Sequence, residues 1–85
     1  MLVWHDSAWE EYLDWLRTDA KAVRRINQLL KEVQRTPFEG SGKPEPLKGN
    51  LSGYWSRRID GRHRLVYRVQ DGDCVILQCK GHYGD

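Results

Sequence analysis

The segment from Gly42 to Val69, GKPEPLKGNLSGYWSRRIDGRHRLVYRV, sets one carboxylate, Glu45, between Pro44 and Pro46 and follows it with a run of arginines. Each proline fixes its own φ and biases the residue before it towards extended geometry, so Glu45 is expected on a stiff stalk. Downstream lie Arg58 and Arg64, and beyond them the pair His82-Tyr83. These residue types suffice for metal-free cleavage of RNA. The 2′-hydroxyl is itself the nucleophile, so a protein has only to take its proton, neutralise the phosphate and protonate the leaving 5′-oxygen. Glu45 has the chemistry of the base. Guanidinium forks match phosphate oxygens, which suits Arg64, with Arg58 as a second donor. Histidine exchanges protons near neutrality, which suits His82 to the acid role. Tyr83 offers a ring to stack on a base and a hydroxyl to bond a phosphate oxygen.

Each residue also has a plainer reading. Glu45 alone reads as a solvated loop carboxylate, Arg58 and Arg64 as surface charges on an exposed strand, and His82 and Tyr83 as a frayed end. The residues by themselves therefore leave two readings, a basic nucleic-acid binder or a nuclease. Charge distribution is relevant to both. The formal net charge is only +2, yet Lys43, Lys48, Arg57, Arg58, Arg62, Arg64 and Arg68 face only Glu45 and Asp60 between positions 43 and 68. Such a local excess makes a field that attracts polyanions, although it is also what a solvated basic face looks like.

Other chemistries lack their residues. His5, His63 and His82 are scattered, with no ligand spacing to each other or to Cys74 and Cys79, and no phosphate-cradling glycine motif is present. No cofactor and no metal are expected. The two cysteines are spaced as CVILQC; on one strand they would point to opposite faces, and they read as reduced packing residues. With 85 residues the chain is expected to form one domain, residues 1–85, with a small core. The absence of a long apolar run or a signal-peptide pattern suggests a cytoplasmic location.

The elements that must position these groups can be read in outline. Residues 2–5 resemble a short strand. Ser7 to Glu10 has the form of a capping box, and Trp9, Tyr12, Leu13 and Leu16 would make the apolar stripe of a first helix over 7–17. Thr18-Asp19 offers the next N-cap, and Val23, Ile26, Leu30 and Val33 mark a second helix that ends before Thr36-Pro37. Trp15 falls off the first stripe and is expected to pack on the second helix. Positions 36–53 show no period. Three strands follow over about 54–59, 63–69 and 74–80, forming an antiparallel meander.

Asp60-Gly61 suggests a two-residue turn. That register would put Tyr54, Ser56 and Arg58 on the face of Leu65 and Tyr67, whereas a three-residue loop gathers Trp55, Ile59, Leu65, Tyr67 and Val69 on one side. The three-residue register is preferred, at the cost of leaving Arg57 on the apolar face, where it must find a carboxylate or an edge. The fold class is then α+β, with two helices on one face of a small antiparallel sheet and an open, basic opposite face.

The string RTPFEGSGKPEPLKGNLSGYWSRRI, followed by HRLVY and HY, resembles the YoeB type of bacterial toxin in the RelE superfamily, and the similarity extends over nearly the whole chain. The resemblance implies a ribosome-dependent endoribonuclease that cuts messenger RNA in the A site without metal, leaving a 2′,3′-cyclic or 3′-phosphate and a 5′-hydroxyl. The family's base falls on Glu45, its phosphate-binding arginine on Arg64, its acid on His82 with Tyr83 beside it, and a supporting arginine on Arg58. Lys48 matches a loop lysine that would touch messenger or ribosomal RNA. An antitoxin partner of the YefM type is implied, with operator DNA bound through that antitoxin, and a toxin homodimer is compatible with the family. Two alternatives use the same fold: a ParE-like toxin that binds DNA gyrase, and a nucleic-acid-binding module without catalysis.

Overall fold

In a computed structural model that describes residues 1–82, the sheet has five strands in the order β1-β5-β4-β3-β2. These are β1 (Leu2–Trp4), β2 (Glu45–Pro46), β3 (Trp55–Arg58), β4 (Arg64–Gln70) and β5 (Asp73–Gln78). The meander β3-β4-β5 is antiparallel, as its alternation predicts. Two features of the sheet are not visible in the pattern: β1 lies parallel to β5, and the prolines around Glu45 deliver a two-residue strand that pairs with β3. Helices α1 (Asp6–Thr18) and α2 (Ala20–Arg35) form a hairpin that covers one face, and their core includes Ala8, Trp15, Ile26, Leu29, Leu65, Tyr67 and Ile76. Among the described residues no helix is long and apolar enough to cross a membrane.

The second helix starts where its cap predicts, with the Asp19 side chain accepting from the Ala22 amide. The first does not. Its N-cap is His5 with no side-chain cap bond, so the Ser7–Glu10 box is not used. Its buried face is also different. Trp9 and Leu16 are 43% and 52% exposed, whereas Ala8 and Trp15 are buried. The reason lies at the end of β5, where α1 closes on Cys79 through three groups. The Ala8 carbonyl receives the Cys79 thiol, the Glu11 carboxylate receives its amide, and the Trp15 indole N–H donates to its carbonyl at 2.8 Å. Ala8 permits the close approach that a larger side chain would prevent. Trp15 thus binds the strand end from within the core cluster that it shares with the α2 residues Ala22 and Ile26, while Trp9 stacks on Tyr12 and meets Trp4 edge-on at the margin of the core.

The β3–β4 register is the three-residue one: Arg58 lies opposite Arg64, Arg57 opposite Leu65, and the Ile59 amide bonds the His63 carbonyl. Arg57 is fully buried on the helix side and every N–H of its guanidinium has an acceptor. Nε donates to the Tyr67 hydroxyl, Nη1 to Glu32 and the Ser41 carbonyl, and Nη2 to the Thr36 and Glu39 carbonyls. Tyr67 in turn donates to the Pro37 carbonyl at 2.6 Å. A buried charge is tolerated only when paired and fully hydrogen-bonded, and here Glu32 supplies the pairing while three of the five acceptors are backbone carbonyls of residues 36–41. The aperiodic segment is therefore wrapped around an ionic knot. Gly40, with φ of 124°, is required there, because a Cβ would stand 2.7 Å from a Glu32 carboxylate oxygen and 3.0 Å from Arg57 Nη1.

Between Val66 and Tyr67 the β4–β5 register shifts by one residue: Tyr67 pairs with Ile76 but Val66 with Gln78, leaving Leu77 as the extra residue of a bulge. This corrects the expectation that the cysteines face opposite ways. The bulge restores Cys79 to the helix side, and both Cys74 and Cys79 lie in the core.

Candidate active site

The far side of the sheet, away from the helices, carries the predicted residues in two adjacent rows. Glu45, Ser56, Val66 and Gln78 are successive partners across four strands, so they share that face. Two residues along, Arg58 and Arg64 form the next row on the same face. With strands ~4.8 Å apart and ~3.4 Å per residue, the backbones of Glu45 and Arg64 are separated by roughly 12 Å, a gap that two long side chains can span around a nucleotide linkage.

Each group is held differently. Glu45 is exposed at the sheet edge. Its stalk is fixed on one side by the Arg57 knot and by the bond from the Arg58 amide to the Gly42 carbonyl at 2.7 Å. On the other side, the Leu47 amide bonds Tyr54. Arg58 is exposed, but Arg64 is 8% exposed, and its Nη1 donates to the Asp60 and His63 carbonyls of the hairpin loop. Asp60 organises that loop by accepting from the Arg62 and His63 amides. Burial pushes its carboxyl up, yet those two amide bonds, with the His63 and Arg64 side chains nearby, hold it below its usual value.

His82 follows a tail that is bonded at every residue. Cys79 is held by α1 as described. Lys80 pairs with Asp14 and lies over the Trp15 ring at 5.1 Å. Gly81, at φ of 82°, receives the Arg64 amide and the Gln78 side chain on its carbonyl and gives its own N–H to His63 Nδ1 at 2.7 Å. The tail is held as far as Gly81, the residue before His82, where the bond from Arg64 fixes it beside the arginine row. Tyr83 lies outside the described residues.

The expectation of an open basic face also needs correction. Leu47, Ser56 and Val66 are buried there, apart from the helix-side core, so the basic groups flank a partly closed floor. Lys48 is exposed at the head of a short 3₁₀ turn, Gly49–Leu51. Sequence reasoning counts Arg68 among the basic residues without giving it a role. It sits on this face with its guanidinium 5.3 Å from the centre of the Tyr54 ring, and its Nε is buried with no hydrogen-bond partner among the described residues. The signal that could have found it is the three-residue register, which already places Arg68 on the face of Tyr54. Among the described residues no group of three or more His, Cys, Asp or Glu side chains could hold a metal ion.

A family model described as the YoeB-like toxin of bacterial type II toxin–antitoxin systems matches residues 4–83. The chain is 56% identical over 82 residues to Toxin YoeB of Escherichia coli K12, covering 96% of this chain and 98% of that one. It is 30% identical over 69 residues to Endoribonuclease HigB of Proteus vulgaris, covering 75% of each. Among solved structures it is similar to a YoeB/ParE toxin from Agrobacterium tumefaciens, with a TM-score of 0.92 at 54% identity over 96% of this chain and 98% of that one. It is also similar to the toxin of a YoeB–YefM complex from Staphylococcus aureus, with a TM-score of 0.91 at 46% identity over 98% and 97%. A YoeB dimer from the same organism gives a TM-score of 0.89 at 48% identity over 96% and 95%.

Proposed function

The chain belongs to the YoeB-like toxins of bacterial type II toxin–antitoxin systems, and from that premise we propose that it is an endoribonuclease that cuts messenger RNA in the ribosomal A site without a metal ion. One observation carries the reading: a carboxylate on a braced stalk, two opposed arginines and a tied-down tail that leads to His82 meet on one face of the sheet. The HigB relative, an endoribonuclease by name, supports the same class of reaction.

In the proposed step Glu45 takes the proton of the 2′-hydroxyl while the 2′-oxygen bonds to phosphorus. The bond from phosphorus to the 5′-oxygen breaks, and His82 donates a proton to that oxygen. The products are a 2′,3′-cyclic phosphate and a 5′-hydroxyl, and the protons on Glu45 and His82 are exchanged back through water. Arg64, with Nη1 held by the loop carbonyls, presents its remaining edge to the non-bridging oxygens, and Arg58 adds a second guanidinium as charge builds there. The role assigned to Tyr83 is to stack on a base or bond a phosphate oxygen, and that of Lys48 is to touch messenger or ribosomal RNA. The ribosome holds the linkage in line for attack, a contribution of the order of 7–11 kcal/mol that this shallow face does not supply by itself.

Translation is thereby inhibited until a YefM-like antitoxin binds, as the S. aureus complex suggests. Operator DNA is bound through the antitoxin. A homodimer is part of the proposal, on the precedent of the S. aureus dimer. A ribosomal substrate places the protein in the cytoplasm. The gyrase-binding and binding-only alternatives have no use for a braced carboxylate beside a pair of arginines.

The test is to incubate the purified chain with a defined messenger RNA, with and without programmed ribosomes, and to map cut positions and end groups beside a Glu45→Gln control. A-site cuts with 5′-hydroxyl ends that need ribosomes and vanish in the control are expected. Equal cutting of free RNA at the same positions would refute ribosome dependence, and cutting that survives Glu45→Gln would remove Glu45 from the reaction.

A further inference from the structure

Of the three tail residues before His82, Cys79 and Lys80 are held by α1, whereas Gly81 is held by the sheet and the loop ahead of β4. Its N–H, in the plane of the Lys80–Gly81 peptide, is met by a side chain, His63. Its carbonyl, in the plane of the peptide that leads to His82, is met by the Arg64 amide and the Gln78 side chain. Gly81 joins the two planes at a positive φ, a conformation in which glycine has no steric preference of its own, so their relative turn is resisted by these hydrogen bonds and not by side-chain clashes. The direction in which the next residue leaves therefore needs both planes held, and His63 is the group that holds the first.

His63 is equipped for that task. Its backbone is held by the bond of its amide to the Asp60 carboxylate and by its carbonyl accepting from Ile59. Its ring stands edge-on to Trp15, with centroids 4.8 Å apart at 90°. Trp15 also donates to the Cys79 carbonyl, so one indole orients both the imidazole and the start of the tail. For Nδ1 to accept, it must be unprotonated, which in the neutral ring places the hydrogen on Nε2.

We propose that His63 is a positioning residue for the reaction, its Nδ1 fixing the Lys80–Gly81 peptide while Arg64 and Gln78 hold the Gly81 carbonyl, so that the chain presents His82 to the leaving oxygen beside Arg64. This rests on the RNA-cutting reading above for its purpose, but not for the bond itself.

Two substitutions separate the acceptor from the ring. His63→Phe keeps a ring against Trp15 and removes the acceptor, whereas His63→Asn keeps an acceptor near the position of Nδ1 and gives up the ring. Measured on the whole chain are the Gly81 amide exchange rate, the imidazole nitrogen shifts of the wild type, and cleavage on programmed ribosomes. The wild type is expected to show the Nε2–H tautomer and a protected Gly81 amide. His63→Phe should lose that protection and fall about 100-fold in kcat with KM unchanged, as for a misplaced catalytic group. His63→Asn should recover both despite a lower melting temperature.

A residue that only packs would give the reverse order, with Asn the worse variant, and would overturn the proposal. So would an Nδ1–H tautomer in the wild type, a result that needs no variant to fold. Full cleavage by His63→Phe with Gly81 unprotected would overturn the role in positioning. A wild type that leaves programmed ribosomes uncut while Gly81 protection still depends on residue 63 would refute the RNA-cutting reading and, with it, the purpose assigned to the bond.

Discussion

Arg58 and Arg64 stand directly opposite one another on adjacent antiparallel strands. Like charges at directly opposed positions destabilise a sheet by up to about 1 kcal/mol, so the pair opposes folding where an opposite-charge or apolar pair would favour it. An anion between the two guanidinium groups reverses the sign of that term. Arg58→Gln is accordingly expected to raise the melting temperature by a few degrees while lowering cleavage on ribosomes. A variant that loses both stability and activity would show that Arg58 serves the fold.

Arg57 is expected to behave in the opposite way to its neighbour. It is buried and fully bonded, and its removal strands Glu32 and several loop carbonyls. Arg57→Leu should destabilise by about 3 kcal/mol or more, and Arg57→Lys should rescue little, because an ammonium has three donors where five acceptor contacts are made. Urea unfolding reads this directly as a lower midpoint with an unchanged slope.

The same knot predicts a limb in the acid stability profile. The Ser41 hydrogen bond, followed by the charges of Arg57 and Arg25, holds the Glu32 carboxyl below its usual value against the opposing effect of burial. A depressed carboxyl contributes stability that is complete above the unfolded-state value near 4.5 and is lost as pH falls through the folded value. Glu32→Gln should lower stability at neutral pH and flatten the profile below about pH 4.5. An unchanged acid limb in that variant would assign the loss to other carboxylates, such as Asp60 or Asp14.

Burial pushes the Cys74 thiol up to about 11 and the Cys79 thiol up to about 12. Thiolate is the reactive form, so both should resist a disulfide reagent at neutral pH and react together only on unfolding. Fast labelling of either in the native protein would contradict their placement in the core.

Arg68 should carry part of the RNA affinity. If it neutralises one phosphate, Arg68→Ala lowers the slope of log affinity against log salt by about 0.7, the single-strand value for one contact. Binding to an uncleavable RNA in the Glu45→Gln background isolates this from chemistry, and an unchanged slope would leave Arg68 as a partner of Tyr54 alone.

How much was legible in the sequence depended on whether the pattern had one physical solution. The register of β3 on β4 had one, because only the three-residue loop put Ile59 with Leu65 and Tyr67, and the apparent defect it created at Arg57 proved to be the knot that holds the loop. CVILQC had several, since apolar residues on both faces leave a bulge at Leu77 unmarked, and the cysteines were misplaced for that reason. The face of α1 was misread because large side chains dominate a stripe, while the contact with Cys79 was decided by Ala8 and by the hydrogen bond that Trp15 makes. The far face carries Arg58 and Arg64 as expected, but nothing in the local pattern showed that β2 would bring Glu45 onto it, or that Leu47, Ser56 and Val66 would be buried there. The anchoring of Gly81 depends on residues 63 and 64, too far from the tail in order for a local window to join.

The place of β5 between β1 and β4 has a consequence for the order of folding. The helical hairpin and the β3–β4 hairpin close over short loops and are free to form early, whereas β1 has to wait for a partner far along the chain, at Leu2 with Cys74. Until β5 docks, the first strand has no neighbour and the tail has no course to follow, so a partly folded molecule holds its carboxylate and arginines but not its histidine. On the proposed mechanism, cleavage is then gated by the completion of the sheet, and a fragment that stops short of β5 is expected to leave programmed ribosomes uncut however well the rest of it folds.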